Sequence, residues 1–168
     1  MIRTIDSFNY KQICKLKEIP RGRAKRKNDI MYMDVVTTFD IETTNIDKYD
    51  QAIMYLWGFQ FKSQTIIGRK WDEFKTFIDR INSLLEENQF IVCFVHNLSF
   101  EWQFLKSIIP VDSVFAMDSR KVLKFTSGHF EFRCSYLQTN MKLEKFLEKM
   151  NVKNKKLKLD YSIKRYTW

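Results

Sequence analysis

The stretch that decides the fold is Thr37-Thr38-Phe39-Asp40-Ile41-Glu42-Thr43-Thr44, in which the apolar run Met33–Phe39 ends at two carboxylates. Two residues at positions i and i+2 of a strand point to the same face of its sheet. A second acidic cluster, His96-Asn97-Leu98-Ser99-Phe100-Glu101, again follows an apolar run. Carboxylate clusters of this kind are the sites that Mg²⁺ prefers. The two clusters therefore predict a metal-dependent nuclease site, with one carboxylate pair beyond one strand end and a third acid beyond another.

Composition bounds the class of protein. The chain has 168 residues, of which 45% are apolar and 15 are Phe, so it suits one globular domain with a buried core. No apolar run approaches the ~20 residues of a membrane helix, and the N-terminus lacks a hydrophobic signal core. The three cysteines are scattered and form no C-x-x-C pair. We therefore expect a protein of the reducing cytoplasm with no membrane partner.

The charge of +9 is concentrated at the two ends of the chain. Residues 1–30 hold nine Lys and Arg against three acids, residues 142–168 hold the same, and residues 31–141 are slightly acidic. This pattern predicts a basic N-terminal arm over residues 1–30, followed by a domain over residues 31–168. The loop residues that we expect to contact nucleic acid are Arg21, Arg23, Lys25 and Arg26. The alternative is that the basic ends only keep the protein soluble.

The hydrophobic pattern from residue 31 onward alternates between strand and helix signals. Strands are predicted at Met33–Phe39, Ala52–Phe61, Thr65–Gly68, Phe90–Val95, Val114–Met117, Val122–Thr126 and Phe130–Cys134. Helices are predicted at Trp71–Glu87, Phe100–Ile109 and Met141–Met150. The continuously apolar run at residues 90–95 indicates a strand buried on both faces. This order predicts an α/β domain with a mixed sheet and helices packed on it.

Each acidic cluster also has a purely structural interpretation. Asp40 or Thr43 could bond to local backbone at a solvated strand end. Asn97 could cap the following helix, in whose first turn Glu101 would be favoured by the helix dipole. The functional interpretation instead gives Glu101 to a second metal ion and lets Phe100 stack on a base of a single strand.

Together the two motifs resemble those of the family B DNA polymerases. The string TTFDIETT is similar to the first exonuclease motif of that family, and VHNLSFEWQFL to the second, in the H-N-L-x-F-[DE] form of the protein-primed phage polymerases. The stretch CSYLQTNMKLEKFLEKM is also similar to the segment that follows, so the resemblance covers residues 31–166. It implies a ribonuclease H-like fold of the DEDD exonuclease type, with a mixed sheet flanked by helices. The implied activity is a proofreading 3′–5′ exonuclease, encoded by a phage or prophage in a bacterial host.

The resemblance also implies roles for individual residues. Asp40 and Glu42 would coordinate a pair of Mg²⁺ or Mn²⁺ ions, and Glu101 would bind the second ion. The residues implied to contact single-stranded DNA are Thr43, His96, Asn97 and Phe100. The expected partners are the 3′ end of a primer and the rest of a DNA polymerase or a terminal protein.

This sequence departs from the family pattern at three points. The family's catalytic lysine has no clear counterpart, although Lys142 and Lys145 are candidates that also suit the solvated face of the last helix. Glu101 stands where Asp is more usual. The third motif, Tyr-x-x-x-Asp, does not occur in the 168 residues. Because it is missing, we expect a domain that is cut off before that motif. We therefore expect little or no exonuclease activity from this polypeptide alone. The alternatives are a nuclease-dead module of the same fold that binds nucleic acid or protein, and a nuclease that takes its last carboxylate from a partner.

Overall fold

The centre of the fold is a mixed sheet, seen in a computed structural model that describes residues 1–20, 30–46, 51–118 and 120–152. Ten strands belong to the sheet within these residues. They lie at Ile2–Arg3 (β1), Glu18–Pro20 (β2), Met31–Met33 (β3), Thr37–Ile46 (β4), Gln51–Phe61 (β5), Gln64–Gly68 (β6), Gln89–Val95 (β7), Ser113–Ala116 (β8), Val122–Ser127 (β9) and Phe130–Cys134 (β10). The helices are Trp71–Asn82 (α1), Leu98–Leu105 (α2), Tyr136–Thr139 (α3) and Leu143–Lys149 (α4), with a 3-10 helix at Tyr10–Lys15.

The strand order is β1-β6-β5-β4-β7-β10-β9-β8, with β3 beside β7 and β2 beside β3. Strands β4, β5 and β6 form an antiparallel meander, whereas β4–β7 and β7–β10 are parallel pairs. Parallel neighbours need a crossover between them, and helices α1 and α2 lie in those crossovers. The predicted α/β architecture with a mixed sheet is confirmed.

Aromatic side chains fill the layer between the sheet and α1. Trp57 and Phe59 on β5 have no exposed surface, and their rings lie 5.3 Å from Phe74 and 5.1 Å from Phe77 of α1. Phe39 of β4 lies 4.7 Å from Phe74. Each such ring contributes roughly 1.5–3 kcal/mol by its burial. Every second residue of β4 from Thr37 to Ile41, and of β5 from Trp57 to Phe61, is thereby fixed toward α1, and the residues between them face the other way.

The first twenty residues contribute to the same body. β1 pairs in parallel with β6, and Phe8 and Ile13 belong to the buried core. The boundary drawn at residue 30 stays a prediction. The basic loop residues Arg21, Arg23, Lys25 and Arg26 lie outside the described residues. No helix within the described residues is long and apolar enough to cross a membrane.

Two helices differ from their predicted lengths. α1 ends at Asn82 and not at Glu87, because the Ser83 hydroxyl donates to the Arg80 carbonyl at 2.9 Å and the chain turns away. The Asn82 side chain accepts a hydrogen bond from the backbone amide of His129 at 3.0 Å, which ties this helix end to the β9–β10 turn. α2 begins at Leu98 and continues beyond residue 105 only as turns. The last predicted helix is shorter, at residues 143–149.

One strand is less buried than its sequence indicates. Along β7, Ile91, Cys93 and Val95 are buried, whereas the residues between them are half-buried. The prediction of burial on both faces was therefore wrong, because the helices cover one face of this part of the sheet and leave the other partly open.

Candidate active site

Asp40 and Glu42 lie in the middle of β4. The sequence had instead suggested that they follow the end of this strand. β4 continues to Ile46, with Asp40 opposite Gly58 and Glu42 opposite Leu56 of β5. The prediction failed because the alternation of polar and apolar residues continues through the carboxylates, and period-2 alternation is itself a strand signal. A β-bulge follows directly between Glu42 and Thr43. Such irregularities re-aim side chains and occur next to active sites.

The two carboxylates line a groove of about 280 Å³ on the sheet face opposite α1. Asp40 is exposed and Glu42 is half-buried. The residues that line the groove are Thr38, Asp40, Glu42, Leu56, Gly58, Gln60, Thr65 and Ile67. This groove has an acidic end on β4 and a largely apolar floor on β5 and β6.

The second cluster reaches this site where β4 and β7 separate. The two strands pair at Thr37–Cys93 and Thr38–Phe94, after which β4 continues beside β5 and β7 ends at Val95. In parallel sheets, ligands bind in the crevice that opens beyond the carboxyl ends of such strands. The chain then turns into α2, whose first turn carries Glu101.

Asn97 makes the turn between β7 and α2 but does not cap the helix with its side chain. Its φ is 65° and its ψ is 51°, in the left-handed region, and it makes no side-chain capping bond. Asn tolerates this conformation better than most residues do. Asn97 is therefore the N-cap residue of α2, as the structural interpretation had it, but it lacks the side-chain bond that usually accompanies this position. Its backbone carbonyl accepts a hydrogen bond from Phe100 at 2.9 Å, which sets the direction of the first turn.

Glu101 is a buried carboxyl group, with only 3% of the residue exposed. Its Oε2 atom is buried and has no hydrogen-bond partner among the described residues. Burial raises the pKa of Glu101 from 4.5 to about 8; a hydrogen bond from its own backbone amide opposes the shift, and the negative charge of Asp40 adds to it. The negative charge of Asp40 therefore acts on the Glu101 carboxyl group, and a cation close to both would offset their charges.

The carboxylates fit a cation in chemistry, but they are not a preassembled cage. Mg²⁺ and Mn²⁺ take carboxylate oxygens, and the Oε2 atom of Glu101 is an oxygen in need of a partner. Across residues 1–20, 30–46, 51–118 and 120–152, no three His, Cys, Asp or Glu side chains stand close enough together to hold a metal ion. Glu101 also does not line the groove, so Asp40 is the residue common to both parts of the site. The two-metal arrangement stays a prediction.

Two other predicted contacts of the second cluster, Phe100 and His96, have defined neighbours in the structure. Phe100 is 41% exposed, and its ring lies 5.5 Å from Phe104, so one face is available to a ligand. The His96 Nδ1 atom lies 3.3 Å from the Ser135 hydroxyl, and its ring lies 5.6 Å from Tyr136. The sequence interpretation missed these two neighbours of His96. Their signal was the string SYL directly after β10, since β10 and β7 end side by side.

The comparisons with known proteins show one consistent likeness. No family model and no curated protein sequence matches this chain. Among solved structures, Phi29 DNA polymerase complexed with primer-template DNA and incoming nucleotide substrates matches at a TM-score of 0.60 and 14% identity, over 79% of this chain and 26% of that one. Phi29 DNA polymerase complexed with single-stranded DNA matches at a TM-score of 0.57 and 14% identity, over 76% and 25%.

This chain spans about a quarter of the length of those polymerases. At 14% identity the likeness establishes the fold. It agrees with the resemblance to the protein-primed phage polymerases that the two motifs carry. The chain therefore has the ribonuclease H-like α/β fold, a mixed sheet flanked by helices, that it shares with part of Phi29 DNA polymerase.

Proposed function

We propose that this chain is a 3′–5′ exonuclease-type domain of a DNA polymerase, which acts on the terminal nucleotide of single-stranded DNA with Mg²⁺ or Mn²⁺. The observation that carries the proposal is Glu101. A carboxyl group with an unpartnered oxygen, buried beside Asp40, costs stability, and the fold offers no structural reason for it. Groups that are strained or desolvated in this way concentrate at functional sites.

Asp40 and Glu101 would hold the cation, and Glu42 would supply a further oxygen from the same face of β4. When bound, the metal would supply Lewis-acid activation of water and of the phosphodiester. The chain itself contributes rigidity, because Phe39 and Ile41, between and beside the carboxylates, are anchored in the core. Sites on packed strands hold their ligands more precisely than sites on loops.

The remaining residues of the site suit a single strand of DNA. The exposed ring of Phe100 offers a stacking surface for a base, which is worth about 1–3 kcal/mol in single-strand binding. Thr43, His96 and Asn97 would contact the strand beside it. The protein also carries a formal charge of +9, which favours a polyanion. The likeness to a polymerase complexed with single-stranded DNA supports this choice of substrate.

The 168 residues contain no Tyr-x-x-x-Asp string, and no three metal-binding side chains meet in their described part. We therefore propose that this polypeptide alone cleaves slowly or not at all, and that metal and DNA binding are its more accessible properties. The same two observations favour the alternative function, a nuclease-dead module of this fold that binds nucleic acid or a partner protein.

The test combines metal binding with DNA trimming. Mn²⁺ binding is measured by electron paramagnetic resonance, and trimming of a 5′-labelled single-stranded oligonucleotide is followed on denaturing gels with Mg²⁺ or Mn²⁺. We expect Mn²⁺ binding that is lost in Asp40→Ala and Glu101→Gln and kept in Glu87→Gln, an exposed control outside the site.

Two outcomes would change the assignment. Salt-sensitive DNA binding with no Mn²⁺ binding, unchanged by Asp40→Ala, identifies the binding module and rejects the nuclease site. Rapid trimming that disappears in Asp40→Ala supports the nuclease but rejects the proposed impairment.

A further inference from the structure

Gly58 stands at the centre of the groove, in the middle of β5. It pairs with Asp40 of β4 on one side and with Ile67 of β6 on the other. A glycine inside a strand weakens the strand, since it has no side chain to pack and the largest conformational freedom to lose. Such a residue calls for a specific reason.

The fold supplies a reason for the other glycines of the described residues. A Cβ on Gly68 would lie 2.4 Å from the Trp57 ring, so the ring requires a glycine there. Gly128 has a φ of 54° in the β9–β10 turn, and a Cβ on it would lie 2.6 Å from the Asn82 side chain. Both glycines are explained by packing or by backbone conformation.

Neither explanation applies to Gly58. Its φ is not among the positive values, so the backbone would accept any L-residue. A Cβ built on it meets no atom within 4 Å, so the protein leaves the space above it empty. That space is the groove, directly opposite Asp40. A strand glycine can also mark the close approach of a ligand, and the open space above Gly58 agrees with that reason.

We propose that Gly58 is the floor of a subsite for the sugar and base of the nucleotide whose phosphate lies at the carboxylates, and that its missing side chain sets the size of this subsite. The inference rests on the proposed function and deepens it. A cavity of about 280 Å³ lies just below the range of roughly 300–1,000 Å³ that is typical of small-ligand sites, so it suits a ligand no larger than one nucleotide. The floor on either side of Gly58 is formed by the apolar side chains of Leu56 and Ile67, which suit the face of a ring.

The far end of the groove is held in place by hydrogen bonds. The Thr65 hydroxyl donates to the Gln60 Oε1 atom at 2.6 Å, and the Gln60 amide donates to the Lys62 carbonyl. The polar rim is therefore oriented before a ligand arrives, which reduces the entropy lost on binding. The groove thus has carboxylates at one end and hydrogen-bonded polar side chains at the other. The floor between them is apolar, and Gly58 leaves space at its middle.

The test is a graded series, Gly58→Ala and Gly58→Val, in the 168-residue chain. The probe is dTMP with Mn²⁺, and the measurements are its dissociation constant by calorimetry and the thermal midpoint of each protein without ligand. Ala52→Val is the matched control, because it adds bulk to an exposed position of the same strand outside the groove.

We expect Gly58→Val to weaken dTMP binding by about tenfold or more, as added bulk does in a fitted pocket. Gly58→Ala should weaken it less. The midpoints of both variants should equal or exceed that of the unmodified chain, and Ala52→Val should bind dTMP normally. Because Gly58→Ala adds only one methyl group, it keeps the test valid if the valine variant folds poorly.

The proposal is overturned if Gly58→Val binds dTMP within about twofold of the unmodified protein, or if the unmodified protein does not bind it. This result is distinct from failure of the proposed function. Nucleotide binding that is sensitive to Gly58, in a protein whose Mn²⁺ binding is insensitive to Asp40, would retain the subsite and reject the nuclease site.

Discussion

The buried carboxyl of Glu101 should make the stability of the protein depend on pH in a direction opposite to that of most acidic residues. Its pKa is about 8 in the folded chain, against an ordinary value of 4.5. The folded state therefore keeps the proton at pH values where the unfolded chain has lost it. The contribution of Glu101 to the free energy of unfolding is therefore highest below pH 4.5. It falls as the pH rises from 4.5 to about 8, and it stays constant at higher pH.

The magnitude follows from the two pKa values. Each pKa unit between the folded and the unfolded state corresponds to about 1.4 kcal/mol. Glu101 should therefore lower the free energy of unfolding by up to about 5 kcal/mol between pH 4 and pH 9. Little of this is lost to solvent screening, since the residue is 3% exposed. Glu101→Gln removes the titrating group and keeps its shape, so it should be the more stable protein at pH 9 and comparable at pH 4.

The assay is urea unfolding from pH 4 to pH 9 in a chelating buffer, followed by tryptophan fluorescence. The informative quantity is the difference in the free energy of unfolding between the unmodified chain and Glu101→Gln at each pH. The contributions of all other titrating groups cancel in this difference. Glu87→Gln, on the exposed surface, is the control and should run parallel to the unmodified chain. A difference that stays within about 1 kcal/mol over the whole range would show that Glu101 is not a buried, protonated group.

Three further outcomes are expected. Mn²⁺ at ten times its dissociation constant should raise the free energy of unfolding by about 1.4 kcal/mol, and Asp40→Asn should abolish this in thermal melts. Gly68→Ala should destabilise the fold by about 1–3 kcal/mol in urea, because its Cβ meets the Trp57 ring at 2.4 Å; an unchanged midpoint would contradict the packing. Tyr32→Phe should cost about 1.5–3 kcal/mol, because the hydroxyl donates to the buried Glu131 carboxylate at 3.0 Å; a neutral result would mean that water replaces it.

The sequence predicted much of the fold because its signals were local. The aromatic residues at every second position from Tyr55 to Phe61 and the helical spacing after Trp71 are each set by one strand or helix against one buried face. Gly128 likewise marks the turn between the predicted strands Val122–Thr126 and Phe130–Cys134. Ends of elements were less predictable. The end of α1 involves not only the local bond from Ser83 to Arg80 but also the bond between Asn82 and His129, which lie 47 positions apart, and no local pattern contains that second contact.

The sequence named candidate residues for the site. The two motifs point to Asp40, Glu42 and Glu101, whose role as a site stays a prediction, and in the structure the charge of Asp40 acts on Glu101. The sequence did not reveal that Asp40 and Glu101 lie in different environments. Asp40 is open to the groove, whereas Glu101 is enclosed because α2 packs on β9 and β10, with Trp102 5.0 Å from Phe125. That packing is tertiary, and it decides which carboxylate is desolvated.

Gly58 and Glu101 each make the fold less stable than it could be. Gly58 leaves an empty space above its strand that a side chain could fill, and Glu101 is a buried acid with one oxygen that lacks a hydrogen-bond partner. Natural sequences are otherwise locally consistent with their folds, so such conflicts concentrate where function requires them. Both flank Asp40, one across the β4–β5 pairing and one through its charge. Two independent departures that meet at one carboxylate support the proposed ligand, in which a cation would lie at Glu101 and a ring over Gly58.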